Sequence, residues 1–262
     1  VSIVILALIA LLSIVGFFGL IVAASEAGRR VGRARLAADT GELAKGSGSA
    51  EAAVFGLFGL LVAFTFSGAA SRFEDRRELI TTEANAIGTA YLRLDLLPSD
   101  AQPALRDLFR KYVDNRYSVY HEAGDSVATQ AALAETAKLQ TAIWDMTFGA
   151  LQRQGLPTPA TTLSLSSLNE MIDITTTRHM ATRNHPPLVV FTMLAVFSLI
   201  CSALVGYAIS QNPARSWLHT LTFAAVVSLT VYVIVDLEFP RVGLVRVDSA
   251  DVVLAELRES MQ

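Results

Sequence analysis

The sequence predicts an all-α, polytopic membrane protein: four transmembrane helices and a long helical region outside the bilayer. Three observations carry that expectation. Mean hydropathy is +0.45 and only 17% of the 262 residues are charged, too apolar for an ordinary soluble domain. Four apolar segments, each free of Asp, Glu, Lys and Arg, stand apart along the chain. Between them apolar residues recur at three- and four-residue spacing, and no strand-like alternation of useful length occurs.

Residues 1–24 form the first segment. A helix needs about 20 apolar residues to cross the hydrocarbon core, and this run has them. Val22-Ala23-Ala24-Ser25 places small residues where a signal peptide could be cut. The long apolar run and the lack of a basic stretch ahead of it favour a retained helix. Residues 25–51 read as a polar loop, with Arg29, Arg30, Arg33 and Arg35 followed by Gly41, Gly46, Ser47, Gly48 and Ser49. Residues 52–70 are the second transmembrane helix. Its end, Phe64 through Glu78, passes from apolar residues into a dense set of charges with no proline or turn signal, and Gly68 is the only weak helix former in the join. One helix is therefore expected to leave the bilayer and continue into water.

Residues 71–186 read as a helical region. Ile80, Ala84, Ile87, Tyr91 and Leu94 share one helical stripe that ends before Pro98. Ser99 or Asp100 can cap the next helix, with Pro103 in its first turn and a stripe of Leu105, Leu108, Phe109, Tyr112, Tyr117 and Tyr120. A third helix carries Leu133, Ala137, Gln140, Trp144, Phe148 and Leu151, and Gly155-Leu156-Pro157-Thr158-Pro159 breaks it. A fourth starts between Thr161 and Ser164 and runs through Leu168, Met171, Ile172 and Thr175 toward Arg183. Pro186 and Pro187 open the third transmembrane helix, 187–210. A short turn at Asn212-Pro213 leads to the fourth, 218–235, and residues 236–262 form a tail. Basic residues near the segment ends number six on one side and seven on the other, so charge alone does not orient the chain.

Composition excludes several function classes. Net charge is −3 and no long basic run exists, so no nucleic-acid partner is expected. The single cysteine, Cys201, rules out an internal disulfide framework. His121, His179, His185 and His219 lack metal-ligand spacing, and no Gly-rich phosphate loop, nucleophile elbow or His/Glu metal signature occurs. No metal, cofactor, catalytic residue or enzymatic activity is expected. The apolar segments carry no interior charge. That argues against a charge-coupled transporter and leaves room for a passive pore gated by apolar rings.

The second segment supplies the candidate pore wall. Gly56, Leu60 and Phe64 lie four apart on one helical face, and stacked around an axis Leu60 and Phe64 would make apolar rings. Spacing alone favours the plainer reading that these residues face lipid or other helices, since any membrane helix offers such triples, and Gly56, Gly59 and Ala63 could be close-packing positions. The charges Arg72, Glu74, Asp75, Arg76, Arg77 and Glu78 read as a structural cluster at the water boundary. Asp75 stands at ion-pair spacing from Arg72.

Three patches carry a family likeness. The first is Phe64, Ala69, Arg72-Phe73, Glu74 and Arg76 or Arg77. The second is Leu168-Asn169-Glu170-Met171, then Pro187-Leu188-Val189 and Leu204-Val205-Gly206. The third is Asp236-Leu237-Glu238-Phe239-Pro240 through Gly243. In this order the chain resembles the bestrophin-like membrane proteins, in particular their bacterial branch, over most of 52–245; residues 1–50 carry no part of the likeness. The resemblance implies a homopentameric passive ion channel in a bacterial inner membrane, with residues 71–186 and the tail in the cytosol. It implies further copies of the chain, the bilayer and permeant small ions as partners. It places an apolar neck at Gly56, Leu60 and Phe64 and a cytosolic aperture at Thr162, and it makes anion (chloride) conduction the first expectation. Gly56 puts no side chain where a bulky one is usual, and Thr162 would make a softer aperture. After Pro240 come Arg241, Val242 and Gly243 in place of the acidic run that binds calcium in animal bestrophins, so no calcium clasp is expected. The alternative function is a non-conducting membrane scaffold or sensor whose soluble helices bind a partner.

Overall fold

A computed structural model describes residues 3–38, 47–121, 126–153, 158–210, 217–240, 244–245 and 248–261. These form α1 (Ile3–Ala38), α2 (Ser47–Leu92), a short 3-10 turn (Arg93–Leu96), α3 (Gln102–His121), α4 (Ser126–Arg153), α5 (Thr158–Arg183), α6 (Leu188–Ile209), α7 (Trp217–Glu238) and α8 (Asp248–Ser260). No strand occurs among the described residues. Stretches in α1, α2, α6 and α7 are long and apolar enough to cross a membrane. The expected turn at Asn212-Pro213, the break at Gly155-Leu156-Pro157 and the run Arg241-Val242-Gly243 lie outside the described residues. The chain divides into two compact units, and the division falls within α2, between Phe73 and Glu74.

The first unit, residues 2–73 and 185–245, is built on close helix contacts. α1 does not stop where the apolar run ends. It continues to Ala38, so residues 25–38 are helical where a loop was expected. Two local causes explain this. Glu26 pairs with Arg29 at 3.0 Å and Arg30 at 3.3 Å, the spacing that stabilises helices. Gly28 and Gly32 are also not breakers here but close-approach positions. A β-carbon on Gly28 would fall 1.9 Å from the Ala203 carbonyl oxygen, and one on Gly206 would fall 1.8 Å from that of Ser25. Small residues thus let α1 and α6 touch backbone to backbone, the usual device where lipid removes any hydrophobic drive for helix pairing. Ser202 in the same seam donates to the Ile21 carbonyl at 2.6 Å. Ile21, Ala224 and Val227 form one buried apolar cluster, and Ala69, Leu194 and Ile234 form another.

The second unit, residues 74–184 and 246–262, has an apolar core with polar inclusions. The stripe Ile80, Ala84, Ile87, Tyr91 and Leu94 is buried throughout, and Tyr91 packs edge-on to Phe109 with centroids 5.9 Å apart. α3 begins at Gln102, with Ala101 accepting the Leu105 N–H, so Ala101 stands at the N-cap in place of Ser99 or Asp100. α5 begins at Thr158, earlier than expected, because Pro159 fits a first helical turn where its missing N–H is no loss. On α4 the buried stripe is Thr136, Leu139, Ile143, Thr147, Ala150 and Leu151, rotated from the expected one. Ala137 and Phe148 face outward. Two threonines hid this stripe from an apolar count; Thr136 earns its burial by accepting a hydrogen bond from Asn115 at 2.7 Å. Tyr112, Thr175 and Gln140 make a second buried link, with the Tyr112 and Thr175 hydroxyls 3.0 Å apart and the Gln140 amide donating to both. Burial pushes the Tyr112 phenol above its ordinary pKa.

Candidate pore-lining helix and its charged end

α2 is one helix of 46 residues. Alanine, leucine and phenylalanine dominate its first half, and the Glu74–Arg77 pair at 3.1 Å supports it after the charges begin. Gly56, Leu60 and Phe64 lie together on an exposed face of this helix, with Leu60 53% and Phe64 69% exposed. Leu57 and Phe66 are exposed as well, so the apolar surface is broader than the triple. Thr162 lies in the other unit, exposed on α5, with its hydroxyl donating to the Thr158 carbonyl at 3.0 Å.

The charge cluster is sorted, not simply solvated. Arg72 does not pair with Asp75. Its Nε donates to Glu238 Oε2 at 2.8 Å, and Nη2 lies 2.8 Å from the same oxygen. Glu238, at the end of α7, has no exposed surface. Its Oε1 lies 2.9 Å from His185 Nδ1, and the His185 ring stacks on Phe239 with centroids 4.6 Å apart. A carboxylate stripped of water needs such partners, and here they tie α2, the start of α6 and the end of α7. Glu74 and Asp75 are exposed. Arg76 is buried in the second unit and donates to the Ala181 and Asn184 carbonyls at 3.2 and 3.1 Å. It thus satisfies carbonyls at the C-terminal end of α5, where cations are also favoured by the helix dipole.

Two further carboxylates are buried: Glu83, which lay outside the sequence reasoning, and Asp236, which entered it as part of the third family patch. Glu83 on α2 takes Arg116 Nε at 2.5 Å and Arg178 Nη1 at 2.6 Å, and side chains of all three are almost wholly buried. Its signal was faint but present: Glu83 falls beside Ala84 and Ile87 on the buried stripe of α2. Asp236 accepts the backbone N–H of Leu244 at 2.9 Å and of Val245 at 2.8 Å, and Tyr232 donates to it at 3.1 Å. It fastens the chain after Pro240 back onto α7. Among the described residues no group of three or more His, Cys, Asp or Glu side chains could hold a metal ion.

This geometry agrees with what the chain is similar to. The Bestrophin-like domain family matches residues 15–252, so the likeness reaches into α1, well before residue 50, where none was expected. No curated protein matches. Among solved structures, one variant of a bacterial bestrophin homologue from Klebsiella pneumoniae aligns at a TM-score of 0.68 and 16% identity, over 96% of each chain. A second variant aligns at 0.66 and 16% over 94% of this chain and 99% of that one. A third gives 0.68 and 16% over the same shares. At this identity the structures speak for the fold alone. Four membrane-length helices, the shared all-α architecture and a family match over nearly the whole chain agree: this is a membrane protein that belongs to the Bestrophin-like family.

Proposed function

We propose that the chain is one subunit of a passive, non-enzymatic ion channel. Five copies surround a pore lined by α2, with Gly56, Leu60 and Phe64 at an apolar neck and Thr162 at a second, softer aperture. The channel sits in a bacterial inner membrane with residues 71–186 and the tail in the cytosol. One observation supports the reading: on a membrane-length helix Gly56, Leu60 and Phe64, the residues that the family likeness suggests for a neck, share an exposed face, and Phe64 is 69% exposed. A large ring so exposed has room to meet copies of itself around an axis. Stacked apolar rings of that kind obstruct ions by dewetting.

Anion conduction is the preference inherited from the family likeness. A cation preference is the second reading, and a particular feature favours it. Glu74, Asp75 and Glu78 on α2 and Glu170 and Asp173 on α5 are exposed and outnumber the exposed Arg77 and Arg183 on the same helices, whereas Arg76, Arg116 and Arg178 are buried. A vestibule lined by those outward faces would be acidic, and acidic rings concentrate cations. Native mass spectrometry of the protein released from detergent tests the assembly: five copies are expected, and a monomer or dimer would sink the pore reading. Reversal potentials in asymmetric KCl decide the sign of the permeant ion.

A further inference from the structure

The geometry points to a ligand site beside Phe64 that takes a small neutral amphiphile: a short apolar body bearing one hydroxyl or carbonyl oxygen. Within the first unit, a cavity of about 270 Å³ opens between α2, the first turn of α6 and the end of α7. Leu61, Phe64, Val190 and Phe191 give it apolar walls. Its polar end is the Arg72–Glu238 pair. Gly68 leaves that end accessible, since a β-carbon there would lie 3.3 Å from Arg72 Nη1. Nε and Nη2 of the same guanidinium are turned to Glu238. The remaining edge, Nη1, is therefore a hydrogen-bond donor on the glycine side, next to an apolar chamber.

Charge and size set the ligand class. Arg72 and Glu238 carry opposite charges, so a carboxylate ligand would be brought beside Glu238 and an ammonium group beside Arg72. A neutral acceptor oxygen uses Nη1, a donor that no described residue takes up, without either conflict. The volume falls below the roughly 300–1,000 Å³ of sites for drug-sized molecules, which calls for a short chain or a single ring. Because Phe64 is one wall, occupancy also bears on the neck; that consequence rests on the channel reading, whereas binding itself does not.

Photolabelling of the full chain in nanodiscs with a diazirine-bearing hexanol, followed by peptide mapping, tests the site. Saturable labelling at Phe64, Val190 or Phe191 is expected, and n-hexanol should compete for it. n-Heptane, which lacks the oxygen, should compete about tenfold less well, the loss typical of one hydrogen bond. Val190→Trp fills the cavity and should remove the saturable labelling. The comparison of the two competitors needs no variant, so it stands even if that substitution disturbs folding. Unsaturable labelling spread over exposed Leu8, Leu12 and Leu229 would mean bilayer partitioning. No labelling would mean that a lipid chain or a neighbouring copy fills the space. Equal competition by the two molecules would mean that the Arg72 donor is not used. Each of these overturns the site. Flux is read separately: saturable labelling without any change in flux refutes only the consequence for the neck.

Discussion

Glu83→Gln is expected to be among the most destabilising single changes in the chain. The substitution keeps size and shape but removes a carboxylate bonded to both Arg116 and Arg178, whose side chains are 0% and 3% exposed. Local charge goes from +1 to +2 in a space shut off from water. Removing one member of a buried ionic group costs about 3–5 kcal/mol. For a chain of this size each kcal/mol moves the unfolding midpoint by about 2–4 °C, so a fall of about 6–20 °C is expected. The assay is thermal unfolding in detergent by intrinsic fluorescence. Arg178→Met is the informative comparison: it leaves Glu83 paired with Arg116 at zero net charge and should cost clearly less than Glu83→Gln. A Glu83→Gln midpoint within 2 °C of the wild type, or a larger fall for Arg178→Met, would refute the charge argument.

Other expectations follow from the same geometry. Gly206→Ala should abolish the monodisperse chromatographic peak, because its β-carbon would fall 1.8 Å from the Ser25 carbonyl oxygen. Gly59→Ala, with nothing within 4 Å, should leave the peak intact and raise the midpoint slightly through better helix propensity. Asp236→Asn weakens the charge-assisted bonds to the Leu244 and Val245 amides, so hydrogen exchange at those two amides should speed up while exchange in α4 stays unchanged. Cys201, with no exposed surface, should react with maleimide only after denaturation; rapid labelling of the folded protein would contradict the packing of α6.

Membrane character, the helical class and the family were legible because they rest on long-range patterns: apolar runs of bilayer length, and patches in fixed order. The continuity of α2 was legible for a local reason, the absence of any breaker between Phe64 and Glu78. What could not be read is which polar residue meets which. Arg72 has acidic neighbours in sequence, yet its partner is Glu238, 166 positions away. Arg76, four residues before Ile80, extends the buried stripe of α2 while Arg77 is exposed, but its partners, the Ala181 and Asn184 carbonyls, lie 105 and 108 positions away. The helical part of residues 25–38 was missed because a run of arginines after the apolar segment reads as a polar connector, whereas the Glu26 pairs with Arg29 and Arg30 hold it in the helix. The α4 stripe was misplaced because threonines can be core residues, as Thr136, bonded to Asn115, is. For Gly56, Leu60 and Phe64, one shared face was legible in the sequence, and the fold adds that this face is exposed.

The most direct test of the channel account is chloride and potassium flux from liposomes holding the purified protein, with Phe64→Ala and Val62→Ala measured in parallel. Phe64 is 69% exposed, so its truncation costs little stability and a change in flux would report on the pore. The account expects measurable flux in the wild type, a marked rise in Phe64→Ala and no rise in Val62→Ala, which points to the other side of α2. No flux from any version of a folded pentamer, or equal flux from all three, would contradict a neck at Phe64 and move the non-conducting scaffold ahead.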